Sequence, residues 1–183
     1  MRDDGTIETE HSLEEPRMKK MGATGQKRLK CIHQICACLW VGGAVSLTLM
    51  NFLMIPADGA ALYGIHLAMK FIDDFIIIPG AVGLLLSGLV YSVFTNWGWI
   101  RHTWIAAKWI INIYGVVFGT FMLGPWVNSL APMAKEMGPA VLSNPVYLNN
   151  VLMLRIWGTF QVSTIIFALI ISVLKPWKRR TVR

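Results

Sequence analysis

Four stretches of this chain are apolar for long enough to cross a lipid bilayer: Cys31 to Met54, Phe75 to Phe94, Trp104 to Trp126, and Leu152 to Leu174. A spanning helix needs about twenty such residues. No water is available inside the hydrocarbon to satisfy backbone N–H and C=O groups, so each stretch must close its own hydrogen bonds as a helix. The expected fold class is therefore all-α, an integral membrane bundle of four transmembrane helices. Composition agrees, since 55% of the 183 residues are hydrophobic and only 15% are charged. A soluble domain is roughly 45–50% apolar. The length implies one domain.

The net charge of +7 would suggest a nucleic-acid partner in a soluble protein. Here the basic residues flank apolar runs, which is how membrane proteins hold their orientation, and nucleic acid drops out as a partner. Arg17, Lys19, Lys20, Lys27, Arg28 and Lys30 precede the first span. Lys175, Lys178, Arg179, Arg180 and Arg183 follow the fourth, and Arg101 lies between the second and third. The other two loops offer only Lys70 and Lys135, so both termini are expected in the cytoplasm (N-in/C-in). Trp97, Trp99, Trp104 and Trp177 form an inner aromatic belt in this reading, and Trp126 and Trp157 an outer one.

Residues 1–28 read as a disordered tail, 29–177 as the transmembrane domain and 178–183 as a basic tail. The first apolar run lacks a small-residue cleavage site and reads as a retained span. Pro56, Pro125 and Pro176 fall at or just past the ends of three spans, where proline cannot continue a helix. Pro79 lies inside the second span and is expected to kink it. Tyr63 to Asp74 has helical apolar spacing and is expected to run into the second span as an interfacial helix. Met133 to Asn150, rich in Pro, Asn and Gly, reads as an external loop.

Ionisable groups within spans are costly and are functional candidates. His33 shares a helical face with Ala37, Trp40, Ala44 and Asn51. A neutral imidazole there can ligate a metal or haem iron, or simply bond a neighbouring helix. Lys108 heads a stripe with Asn112, Gly115 and Gly119, at a depth matching His33. Its cation can hold a propionate, a substrate carboxylate or a lipid headgroup, or snorkel to the interface. Gly115-x-x-x-Gly119 permits close approach of a helix, within the bundle or in a dimer. Asp73 and Asp74 are expected to make a structural ion pair with Arg155 across the bundle. His66, seven residues before Asp73, can be a ligand oriented by that carboxylate or an ordinary surface histidine. His102 reads as an interfacial anchor. In the cluster Cys31-x-His33-x-x-Cys36-x-Cys38, a helix cannot present all four groups to one ion, and cysteine also packs as a small apolar residue. No phosphate-binding glycine loop, HExxH or nucleophilic triad is present, which argues against hydrolase and kinase chemistry.

Leu29-Lys30-Cys31-Ile32-His33-Gln34, Trp40-Val41-Gly42-Gly43, Asp73-Asp74-Phe75-Ile76-Ile77-Ile78-Pro79-Gly80, Ser87-Gly88-Leu89 and Ala107-Lys108-Trp109 together resemble a family of bacterial four-helix membrane proteins defined only as a domain of unknown function. That family is similar to the HemJ-type protoporphyrinogen oxidases and the CopD-type copper-resistance membrane proteins. The resemblance covers residues 28 to 175 and implies a bacterial cytoplasmic (inner) membrane location. It implies His33 as a b-type haem ligand and Lys108 as the matching third-span lysine, with another membrane redox protein or a quinone as partner. Two departures stand out. The arginine that follows the tryptophan motif in the HemJ type is absent, which counts against porphyrinogen oxidation itself. Met- or His-rich external segments of a copper carrier are absent too.

Three functions follow as expectations. The first is a haem b redox or electron-transfer protein built on His33, Lys108, Trp40, Asn112 and His66. The second is a transport protein for copper or another small ligand, and the third an accessory subunit without cofactor. The sequence leaves homo-oligomer formation open.

Overall fold

The computed structural model of the protein describes residues 21–95 and 103–174. Helix α1 (Ala23–Leu53) is followed by α2 (Gly59–Ile72), which passes through a π-helical turn (Asp73–Ile77) into α3 (Ile78–Phe94). Helix α4 (Thr103–Phe118) likewise passes through a π-helical turn (Gly119–Leu123) into α5 (Gly124–Met137). A 3₁₀ segment (Gly138–Ser143) then leads to α6 (Pro145–Leu174). Four continuous helical rods result, of 31, 36, 41 and 30 residues, each long and apolar enough to cross a membrane. Trp97, Trp99, Arg101, His102, Trp177 and most of both tails lie outside the described residues.

Contacts between rod ends show that each rod runs antiparallel to the one before it. Met21 N–H donates to the carbonyl of Phe94 at 3.0 Å, and the Tyr91 hydroxyl to the carbonyl of Gln26 at 3.1 Å. At the opposite end Arg155, early in α6, reaches Asn51 at the end of α1. Local chemistry sets the boundaries. The Asp58 carboxylate accepts from Ala61 N–H at 2.7 Å and caps α2, and Asn144 Oδ1 caps α6 by accepting from Val146 and Tyr147. Gly138, at φ +54°, ends α5 in a conformation that disfavours a side chain.

The rods are longer than the spans expected from hydropathy. The second begins at Gly59 rather than Phe75, so the expected helix over Tyr63 to Asp74 exists and is continuous with the span. At about 1.5 Å per residue its 36 residues measure roughly 54 Å, well beyond a hydrocarbon core of about 30 Å. Asp73 and Asp74 consequently sit partway along a rod, not at its start.

Pro125 does not end the third rod, and Met133 to Asn150 is not a loop, because helix continues to Met137 and resumes at Pro145. A proline inside a helix lacks an N–H and clashes with the carbonyl four residues back. Each π turn widens the helix just before one. Ile78 N–H bonds the carbonyl of Asp73 ahead of Pro79, and Gly124 N–H bonds the carbonyl of Gly119 ahead of Pro125.

Two packed regions hold the rods together. One, towards the α2 and α5 end, contains Leu62, Met69, Val127, Leu130, Ala134, Val141, Tyr147 and Leu154, with Trp126 packed against it. The other is centred on Trp40 with Ala81, Leu84 and Ile165. Glycines allow the close crossing of α1 and α3: a Cβ on Gly80 would lie 2.8 Å from the Trp40 backbone nitrogen, and one on Gly43 2.8 Å from Ile77. Large side chains such as Phe75, Ile110, Phe121 and Val173 remain exposed on the outside. That surface suits lipid.

Candidate functional site

Between the two packed regions lies a chamber of about 310 Å³, walled by all four rods. Its lining is mostly apolar, from Trp40 and Ala44 on the first rod to Leu154 and Val162 on the fourth. Both π turns border it, through Asp73 and Ile77 on one side and Gly119 to Leu123 on the other. Among the described residues, Asp73 is the only ionisable side chain on the wall. No described residue donates a hydrogen bond to its carboxylate.

Gln161 supplies the second polar feature. It is only 5% exposed, and its Nε2 donates to the carbonyl of Gly115 at 3.0 Å. Its Oε1 is left buried without a partner, a state that costs about 1–3 kcal/mol unless something supplies a donor. The small residues Gly115 and Gly119 make this arrangement possible. A Cβ on Gly115 would fall 2.9 Å from the Trp40 indole, and one on Gly119 3.4 Å from Gln161 Nε2. The Gly115-x-x-x-Gly119 face is thus used within the bundle, by Trp40 and Gln161.

The expected ion pair of Asp73 and Asp74 with Arg155 does not form. Asp74 instead pairs with Lys70 one turn earlier on its own helix, at 2.7 Å, and Lys70 also donates to Asn128 Oδ1 on α5 at 2.7 Å. Arg155 donates through Nε and a terminal nitrogen to the Asn51 carbonyl at 3.3 and 3.1 Å, and its guanidinium lies 5.4 Å from the centroid of Phe52. It closes the orphan carbonyls at the C-terminus of α1, where a cation is favoured. His66 is not a surface histidine: it is 5% exposed and bonded through Nε2 to the Tyr147 hydroxyl at 2.9 Å. Its Nδ1 is buried without a partner. Unbroken α-helix joins His66 to Asp73, so the two share a face as their spacing requires, but His66 bonds Tyr147 and not the Asp73 carboxylate.

His33 lies against α3, with Nδ1 2.8 Å from Ser87 Oγ and its ring edge-on to Tyr91. The Ser87 hydroxyl hydrogen is directed at the carbonyl of Gly83, 2.6 Å away. In the tautomer this bond favours, the imidazole carries its proton on Nδ1 and donates it to Ser87 Oγ, with the Nε2 lone pair free. That is the form in which histidine binds a metal or haem iron. Lys108 sits at the same end of the bundle, near enough for its charge to act on His33. It donates to Ser172 Oγ at 3.0 Å and lies 5.9 Å from the Trp104 ring. Asn112 merely bonds back to the Lys108 carbonyl.

Neither His33, Lys108 nor Asn112 borders the chamber, and Trp40 alone of the residues expected around a haem does. The residues on the chamber wall therefore do not fit a haem ligated by His33. Cys36 packs its sulfur against Gly83, while Cys31 and Cys38 are exposed. Among the described residues no three His, Cys, Asp or Glu side chains converge as a metal site. Hydropathy pattern missed the chamber because its wall is built from residues that look ordinary in sequence: Gln161, Thr48 and the two glycines. The available signal was the pair of prolines preceded by long apolar helix, which marks where two rods are irregular. No protein-family model, curated protein or solved structure matches the chain.

Proposed function

We propose that this chain is a multi-pass membrane protein that carries a small solute through the chamber at the centre of its helix bundle. One observation carries the reading: the chamber is bordered by the irregular turns of two different rods, and the unpartnered polar groups Asp73 and Gln161 stand on the same wall. Interrupted helices around a polar midpoint are how membrane carriers build a binding site and the flexure to open it. The basic residues around the first and last spans support both termini in the cytoplasm, and the resemblance supports a bacterial inner membrane.

Accessibility tests this without knowing the solute. A Thr48→Cys variant, in a background with the native cysteines replaced by serine, is embedded in sealed vesicles and treated with a small charged thiol reagent. Labelling from either side in turn is the expected result. A thiol that reacts from neither side would make the chamber a packing void and favour the accessory-subunit reading.

The free Nε2 of His33 favours a second reading, a metal or haem iron held outside the chamber with the Ser87 bond fixing the ring. An absorption spectrum of protein purified from haem-supplied cells tests it. A Soret band lost in His33→Ala supports it, and a featureless spectrum from folded protein removes it.

A further inference from the structure

We infer that the chamber takes a small organic cation bearing N–H groups, an alkylammonium of a few carbons, with Asp73 as its counter-ion. The inference rests on the proposed carrier function and names the class of its solute. It follows from which polar groups on the wall are already engaged. Gln161 spends one amide N–H on Gly115, and its Oε1 acceptor is buried with no partner. Thr48 donates its hydroxyl hydrogen to the Ala44 carbonyl at 2.8 Å, so what remains is oxygen lone pairs. Asp73 contributes a carboxylate with no hydrogen-bond donor among the described residues. Donors remain in the Asn128 amide, whose carbonyl is held by Lys70, in the second amide N–H of Gln161 and in the Thr120 hydroxyl.

A wall whose one charged group is a carboxylate, with no cationic side chain beside it, selects a positively charged donor. An anion would meet repulsion at Asp73 and unpaired acceptors elsewhere. The rest of the lining is aliphatic and includes the Trp40 indole, which suits an apolar body and adds a π surface favourable to a cation. At the roughly 30 Å³ that a water molecule occupies in the liquid, a chamber of about 310 Å³ holds at most a solute of about ten non-hydrogen atoms. Lys70, the cation whose charge reaches Asp73, is committed to Asp74 and Asn128, so among the described residues Asp73 has no ion pair of its own.

Titration calorimetry on the full chain in lipid nanodiscs tests the assignment, with butylammonium chloride as probe and butanol, butyrate and sodium chloride as comparisons. Saturable binding of butylammonium is expected, weakened at least tenfold in Asp73→Asn and in Gln161→Leu and retained in Asp74→Asn. Binding of butylammonium that is equal in wild type and in a folded Asp73→Asn protein would overturn it. So would a preference for butyrate, or no butylammonium binding at all. If the Thr48→Cys thiol is reached from both sides while butylammonium does not bind, the solute class is wrong and the carrier reading stands. If the thiol is reached from neither side, both fail together.

Discussion

Substituting Gly115 with alanine gives the sharpest test of how the bundle is packed. Two effects oppose each other. In a helix interior alanine is better than glycine by up to about 1 kcal/mol, because it loses less backbone freedom on folding. At Gly115, however, the new Cβ would lie 2.9 Å from two atoms of the Trp40 indole. Trp40 is 2% exposed, and its backbone is fixed against α3, where a Cβ on Gly80 would stand 2.8 Å from the Trp40 backbone nitrogen. A rigid ring on a fixed backbone makes this overpacking, which costs about 1–3 kcal/mol. The net expectation is destabilisation of about 0–2 kcal/mol. Gly42 is the matched control, since a Cβ there meets nothing within 4 Å, and Gly42→Ala is expected to stabilise by up to about 1 kcal/mol. The two variants should therefore differ by about 1–3 kcal/mol, or fivefold and more in the unfolding constant. Reversible unfolding in mixed micelles, followed by circular dichroism, reads this difference. In a Trp40→Leu background the penalty should vanish and Gly115→Ala should behave like Gly42→Ala, a coupling seen only between contacting residues. Equal stabilities for Gly115→Ala and Gly42→Ala in the wild-type background would refute the proposed contact and the tight seating of Trp40.

Other substitutions probe the remaining polar contacts. Tyr147→Phe removes the only described bond to His66 and leaves both imidazole nitrogens buried and unpaired, so it should cost about 1–3 kcal/mol. Adding His66→Phe should restore part of that in the same unfolding assay. Arg155→Met should destabilise by about 1 kcal/mol through loss of its bonds to the Asn51 carbonyl. Its effect should add independently to that of Asp74→Asn, whereas strong coupling between the two would reinstate the ion pair across the bundle. Lys70→Met should cost under about 1 kcal/mol, because the pair with Asp74 is a third exposed on both sides and screened accordingly.

The four spans were legible because hydrocarbon imposes a length and a polarity on any helix that crosses it. Helix ends were less so. Hydropathy stops at Phe75, yet Leu62, His66 and Met69 extend the helix by packing against α5, a tertiary contact that no window along the sequence records. Pro125 read as a stop because propensity penalises proline in isolation, while the π turn before it removes much of that penalty. The buried face of α1 was readable from His33 and Trp40, and both do turn inward. Partner choice was not. Lys70 reached Asp74 first because one helical turn separates them, which left Arg155 to the carbonyls of α1. Gln161 carried no signal at all, since its role depends on Gly115 offering a bare carbonyl across the bundle.

The π turn at Asp73–Ile77 has a further consequence for how this molecule tolerates change. A π turn holds one residue more than the α turn it replaces, so it takes up that residue locally and the two halves of the rod keep their phase. Deleting a single residue there would return the turn to α and leave the halves in phase, whereas deleting one from α2 just before it would turn the rest of α2 by about 100° relative to α3. His66 would then swing off Tyr147, and Lys70 off Asn128, while the α1–α3 crossing at Gly80 stayed in place. The second rod therefore has one place that absorbs a change of length, and losing a residue from α2 should be far more damaging than losing one from this turn.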